Sequence, residues 1–262
     1  MLVLLPPSEG KAADGTGPAV DLGSLSLPGL TAARSTVLDE LVGLCAGGDE
    51  DKAADVLGLS PGLRGEIARN AGLREARTRP AGEIYTGVLY DALGLDTLDA
   101  AARQRAAESL LVFSGLWGAV GIRDAIPAYR CSMGVKLPAL GALAGYWRTH
   151  LAEVLPDAVE AAGGGLLLDL RSAAYGAAWK PAPRSALAGR TATVRVVQAE
   201  TRKVVSHFNK ATKGRIVRAL LESGARPEDP EELVAALREL GFTVEVQGPG
   251  RLDVLVTDVH QG

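Results

Sequence analysis

Three short apolar runs constrain this chain more than any other feature. LVLL at Leu2–Leu5 stops at Pro6 and Pro7, LLVF at 110–113 stops at Ser114 and Gly115, and GGGLLLDL at 163–170 stops at Arg171 and Ser172. Each run has the length of a buried strand, and stretches of helical spacing separate them. Buried strand, helix, buried strand is the rhythm of an α/β chain, so the pattern predicts mixed α and β structure. The expected form is a single compact domain over 1–262, with a central, mostly buried mixed sheet surrounded by helices. The pattern leaves open which strands run parallel.

Around these runs the spacing predicts helices over 30–46, 95–109, 138–155 (ending before Pro156), 205–223 and 230–240. It predicts a strand over 191–198 and a closing hairpin of 242–246 with 252–257 through QGPGR. Residues 50–70 read as two short helices around LGLSPG. Residues 82–94 read as a short strand or turn that sets Tyr85 and Thr86 on a loop. Residues 12–29, rich in glycine and proline, read as a mobile flap.

Composition removes several function classes. Apolar residues make up 47% of the 262, which excludes a disordered polyampholyte. A formal charge of −3 means that any basic surface is local. Two cysteines without CxxC spacing, Cys45 and Cys131, argue against a disulfide scaffold or thiolate zinc site and for a reducing cytoplasm. The opening apolar run is too short for a signal peptide, and no later run reaches the ~20 residues of a membrane span.

Familiar motifs fail on context. GGGLLLD has its glycines before a strand, where a dinucleotide fingerprint needs them after one. SEGK lacks the spacing of a phosphate-binding loop. GLSPG at 58–62 matches a nucleophile elbow by letters, but helical patterns flank it. His150, His207 and His260 lie far apart, so no metal site and no cofactor is expected.

What remains is a set of cations and hydroxyls at strand ends. Lys11 follows the first strand, Ser114 and Arg130 flank the glycine-rich stretch 113–134, and Ser172 and Tyr175 follow LLLDL. Neighbouring strand ends share one sheet edge, where pockets form. Gly115 in that stretch would let backbone approach an anion, with Trp117 and Tyr129 as stacking faces and Arg130 as a forked donor. On the helix SHFNKATKGRIVRALL, Lys210, Lys213, Gly214 and Arg218 fall within an arc of about 140°. Gly214 costs that helix roughly 1 kcal/mol against alanine, which calls for a close approach by a phosphate or another chain. ADVLGLSPGLRGEIARN approximates a helix-hairpin-helix DNA binder, with Gly58 at the hairpin and Arg64 beside it.

These motifs together resemble the YaaA family of peroxide-stress proteins. SGLWG with the later D, YR and MG, over Ser114–Gly134, is similar to SGLYGxLRPxDxxxPYRLEMG. YTG at Tyr85–Gly87 is similar to VYTGL, LxSxxY at Leu170–Tyr175 to NLASxEY, and the Lys210–Arg218 helix to Kxx[KR]GxxxR. The motifs occur in the family's order along nearly the whole chain. Departures fall at Gly121 and Ile122 (family Arg-Pro), Ser132 (Glu), Asp169 (Asn) and Ala174 (Glu), and PPSEGK is longer than SPAK.

The resemblance implies a cytoplasmic protein that limits iron-driven damage under peroxide and binds duplex or structured DNA through a positive cleft. The ligand residues would be Lys11, Tyr85, Thr86, Gly115, Trp117, Tyr129, Arg130, Lys210, Lys213, Gly214 and Arg218, with Gly58 and Arg64 at the hairpin. The alternative is an enzyme acting on a nucleotide, nucleoside or damaged base through a cleft lysine, with Lys11, Ser114, Ser172 and Tyr175 as its working groups.

Overall fold

The computed structural model describes residues 1–13, 15–204 and 206–256, apart from the side chains of Ser206 and His207. Seven strands form the central sheet: β1 (Leu2–Leu5), β2 (Leu110–Ser114), β3 (Gly118–Gly121), β4 (Leu167–Asp169), β5 (Thr191–Gln198), β6 (Thr243–Gly248) and β7 (Arg251–Val256). Their spatial order is β6-β7-β5-β4-β1-β2-β3. β1 pairs parallel with β2 and β4, β4 with β5, and β5 with β7, whereas β3 and β6 run antiparallel to their neighbours. Because β1, β2 and the strand half of β4 are buried on both faces, they read as unbroken apolar runs.

From β1 the chain moves outward to β2 and β3, then crosses back to β4 on the other side. Strand order therefore reverses at β1 and β4, and a crevice at the carboxyl ends of such strands is where open α/β sheets take ligands. Lys11 leaves β1 and Arg171 leaves β4 at that point.

The helices are α1 (Thr31–Ala46), α2 (Glu50–Leu57), α3 (Gly65–Ala71), α4 (Val88–Leu93), α5 (Ala100–Ser109), α6 (Leu143–Ala161), α7 (Ser206–Ser223) and α8 (Pro230–Glu239), with shorter turns between. Among the described residues, no helix is long and apolar enough to cross a membrane.

Most expected elements are present, with instructive differences. Residues 82–94 form two helical pieces, Ala81–Ile84 and Val88–Leu93, and between them Tyr85 and Thr86 lie on the expected turn, with Tyr85 in a single antiparallel bridge to Lys11. α6 begins at Leu143, after a small ribbon of Lys136–Leu137 with Gly141–Ala142, and runs through Pro156 instead of ending before it. Pro156 cannot donate to the carbonyl of Ala152, but both residues lie on the exposed face where water can serve that carbonyl. Leu151, Leu155 and Val159 hold the opposite face in the core. Val205 and Thr257, the outer bounds expected for a helix and a hairpin, lie outside the described residues.

The expected flap is tied down. Gly17 N–H donates to the Thr78 carbonyl at 2.9 Å, and Ser26 donates through N–H and Oγ to Asp124 at 2.9 and 2.7 Å. Arg34 on α1, 0% exposed, completes this closure. Its guanidinium donates to the carbonyls of Trp117 (3.1 Å), Ala119 (2.6 Å) and Ser26 (2.7 Å). It thereby satisfies the carbonyls of Ala119 in edge strand β3 and of Trp117 just before it, which would otherwise be buried unpaired, and that of Ser26 in the closing loop.

Candidate functional site

Lys11, Tyr85, Ser114, Tyr129, Arg130 and Tyr175 come together at the carboxyl end of β1 and β2. The bridge to Tyr85 and a 2.8 Å bond from Ala12 N–H to the Ile84 carbonyl fold the chain after β1 back across the sheet edge. The half-buried Lys11 Nζ then donates to the Ser8 carbonyl at 3.0 Å. It lies 4.5 Å from the ring centroid of Tyr129 and 5.8 Å from that of Tyr85. Both rings present their electron-rich faces to the cation, and at 2% exposure Tyr129 is closed off by the fold rather than open as the expected stacking face for a ligand.

Beneath the lysine runs a buried hydroxyl chain. Tyr129 Oη is 2.6 Å from Ser114 Oγ and 3.0 Å from Tyr85 Oη. Ser114 Oγ already accepts from the N–H groups of Leu116 (3.1 Å) and Trp117 (2.9 Å). With both lone pairs of Ser114 occupied, its own hydrogen must go to Tyr129. Tyr129 therefore accepts from Ser114, and its further hydroxyl bond, to Tyr85, completes the chain.

Electrostatics set the protonation states. Burial, partly opposed by Glu9 and reinforced by Arg130, lowers the Lys11 ammonium from 10.5 to about 8. Burial raises Tyr129 and Tyr85 above the ordinary phenol value and Tyr175 to about 12. The phenols therefore stay protonated at neutral pH, while the amine is poised to lose its proton. Tyr175 is half-buried and engages the backbone of Met133.

Arg130 is fixed through its backbone and half-buried at its fork. The Asn70 side chain accepts from Arg130 N–H at 2.9 Å and donates to its carbonyl at 2.8 Å. The guanidinium pairs with Glu9 at 2.5 Å; their side chains are 25% and 71% exposed. Asn70 on α3 has no motif around it, so sequence reasoning had no means of finding it. Arg171, also missed, is a buried floor: it forms a two-pronged ion pair with Asp169 at 2.6 and 2.8 Å and lies 4.1 Å from the Phe113 ring.

The remaining expected site residues are placed differently. Trp117 is 0% exposed, its faces buried and its indole N–H without a partner among the described residues, so it offers no stacking face. Gly115 is close-packed against its own chain rather than open to an anion: a Cβ there would come within 2.6 Å of the Cys131 carbonyl. Thr86 N–H caps Ser8 Oγ at 3.0 Å, and Ser172 is exposed at the start of a four-residue helical turn.

On α7, Lys213 is buried with Nζ on the Leu170 carbonyl at 3.0 Å, and Arg218 binds the carbonyls of Leu93 and Gly94 at the end of α4. The close approach that Gly214 calls for is made by α4: a Cβ at Gly214 would sit 2.2 Å from the Leu89 carbonyl. Lys210 alone of this set is exposed, one turn before Lys213.

Gly58 takes the left-handed conformation at the end of α2, and its N–H and that of Leu59 bond back into that helix. Arg64 pairs with Asp51 at 2.6 Å. Amides and arginine are thus engaged within the turn, and the geometry does not establish the expected helix-hairpin-helix element.

Cys45 and Cys131 are buried free thiols, and burial pushes Cys131 up to about 12. His150 lies against Tyr146 on α6, with ring centroids 4.7 Å apart; His260 and the His207 side chain lie outside the described residues. Among the described residues no three His, Cys, Asp or Glu side chains converge as a metal site.

Residues 1–247 match the family model described as peroxide stress protein YaaA. The chain belongs to that family. A UPF0246 protein of Streptomyces coelicolor is 69% identical over 99% of this chain and 100% of its own length. A UPF0246 protein of Corynebacterium efficiens is 41% identical, over 97% of this chain and 98% of its own. One from Cereibacter sphaeroides is 31% identical over 94% of both. YaaA membership thus extends over the strand-end site as well as the α7 helix.

Proposed function

We propose that this YaaA protein acts in peroxide stress by binding nucleic acid at the carboxyl edge of β1 and β2. Arg130 and Lys11 take a backbone phosphate, and Lys210 extends the track along α7. The observation that carries this reading is the Arg130–Glu9 pair. Glu9 is 71% exposed, and an ion pair of that kind is worth about 0–1 kcal/mol. A backbone phosphodiester offers the same fork two oxygens and the same single charge, and counterion release on binding the polyanion adds to the gain, so it takes the carboxylate's place. Glu9 occupies the place of the ligand's anion.

In this reading Lys213, Arg218 and Arg64 support the fold and do not touch the ligand. The protein works in the cytoplasm, and its link to iron is protection of the DNA that iron-driven oxidation damages. Fluorescence anisotropy with duplex, mismatched and single-stranded DNA across a salt series tests it. Affinity should fall linearly on logarithmic axes, by about 0.7 to 0.9 in slope per phosphate contact. Salt-independent or absent binding to all three would refute it.

A further inference from the structure

We propose that Lys11 is an imine-forming amine, and that its substrate class is an aldehydic sugar carrying a phosphate. The inference rests on the reading that Arg130 takes that phosphate, and it adds a chemical step to what is otherwise a binding site.

The geometry has the parts such a step needs. Nζ is held in place by the Ser8 carbonyl and lies over the faces of two buried aromatic rings, which fix its position. Arg130 and Glu9 form an exchangeable anion position beside it, Glu9 and Arg130 both acting on the Lys11 charge. Tyr175, half-buried near the same groups, is a protonated phenol. Burial also brings the amine to about 8, so a useful fraction is neutral near physiological pH. Lys213 has its ammonium buried against the Leu170 carbonyl and beside Asp169, with no approach for a substrate.

The step balances without an oxidant or reductant. The neutral Nζ bonds to the aldehyde carbon, the carbonyl pair moves to oxygen, and one proton passes from nitrogen to that oxygen to give a carbinolamine. The nitrogen pair then forms the C=N bond while the C–O bond breaks. The oxygen takes a second proton, relayed from solvent through Tyr175, and leaves as water. The product is a protonated imine on Lys11; hydrolysis reverses the sequence.

Two sources share this chemistry: the ring-opened sugar left in DNA after base loss, and a free sugar phosphate such as deoxyribose 5-phosphate. The test incubates the full chain with each, in the presence of cyanoborohydride, and reads intact mass and the modified peptide. One adduct per chain on the peptide containing Lys11 is expected, lost in Lys11→Arg, whose guanidinium stays charged and cannot form an imine. Peptide mapping of the wild-type adduct settles the assignment even if that variant folds poorly. No adduct with either probe, or an adduct on another lysine, overturns the inference. DNA binding without any adduct would leave the nucleic-acid reading standing and remove this one. An adduct with the free sugar phosphate, together with no salt-dependent DNA binding, would do the reverse.

Discussion

The hydroxyl of Ser114 lies 2.6 Å from that of Tyr129, and the bonds each already makes fix which one donates. Ser114 accepts two backbone amides and donates to Tyr129, so removing either residue breaks the same chain. Ser114→Ala leaves two buried N–H groups unpaired, and Tyr129→Phe leaves the Ser114 hydrogen without an acceptor. Each should cost about 1–3 kcal/mol in urea denaturation. The double variant should lose less than the sum, by about 1 kcal/mol, which a double-mutant cycle reads directly. Simple additivity would mean that the two hydroxyls act independently.

Lys11 makes stability depend on pH in a specific window. Below pH 8 both folded and unfolded chains carry its charge, and the fold bears the full cost of desolvating it. Between about 8 and 10.5 the unfolded chain holds the proton that the folded chain has lost, so stability rises with pH; above that range the cost is gone. Lys11→Met removes the group, and the phenols and thiols common to both proteins cancel in the comparison. The variant's stability relative to wild type should therefore decline by up to about 3 kcal/mol as pH rises from 7 towards 10.5. A flat difference would mean that the amine is not desolvated.

Gly214→Ala separates helix propensity from packing. On an isolated helix alanine would stabilise by roughly 1 kcal/mol. Here the new methyl would meet the Leu89 carbonyl at 2.2 Å and the Ala92 methyl at 2.9 Å, both on α4. α7 and α4 would have to separate, breaking the Arg218 bonds to Leu93 and Gly94 as well. Net destabilisation of about 2 kcal/mol or more is expected in thermal denaturation. A stabilised variant would show that the helices part without cost.

These residues also show what the sequence could and could not convey. LVLL, LLVF and LLLDL revealed the buried strands because burial on both faces leaves no alternation to interpret. Lys11, Ser114 and Tyr129 were legible because strand ends were the natural place to look. Gly214 signalled a close approach, but not its partner, since an adjoining helix and a phosphate demand the same absence of a side chain. Trp117 was opaque for a related reason: an aromatic beside glycines reads alike whether it faces a ligand or packs in the core. Arg34, in the helical stretch TAARSTVLDEL, reads as a surface cation because the carbonyls it binds lie far along the chain. Asn70, which clamps Arg130 from 60 residues away, leaves no local trace at all.

The measurement that tests the account most directly is the salt dependence of DNA binding in single-residue variants. Arg130→Gln and Lys210→Gln should each reduce the logarithmic slope by about 0.9 on duplex DNA, whereas Arg218→Gln, whose guanidinium is held by the carbonyls of Leu93 and Gly94, should leave it unchanged. Unchanged slopes in Arg130→Gln and Lys210→Gln, or a loss confined to Arg218→Gln, would contradict a nucleic-acid site at the carboxyl edge of β1 and β2.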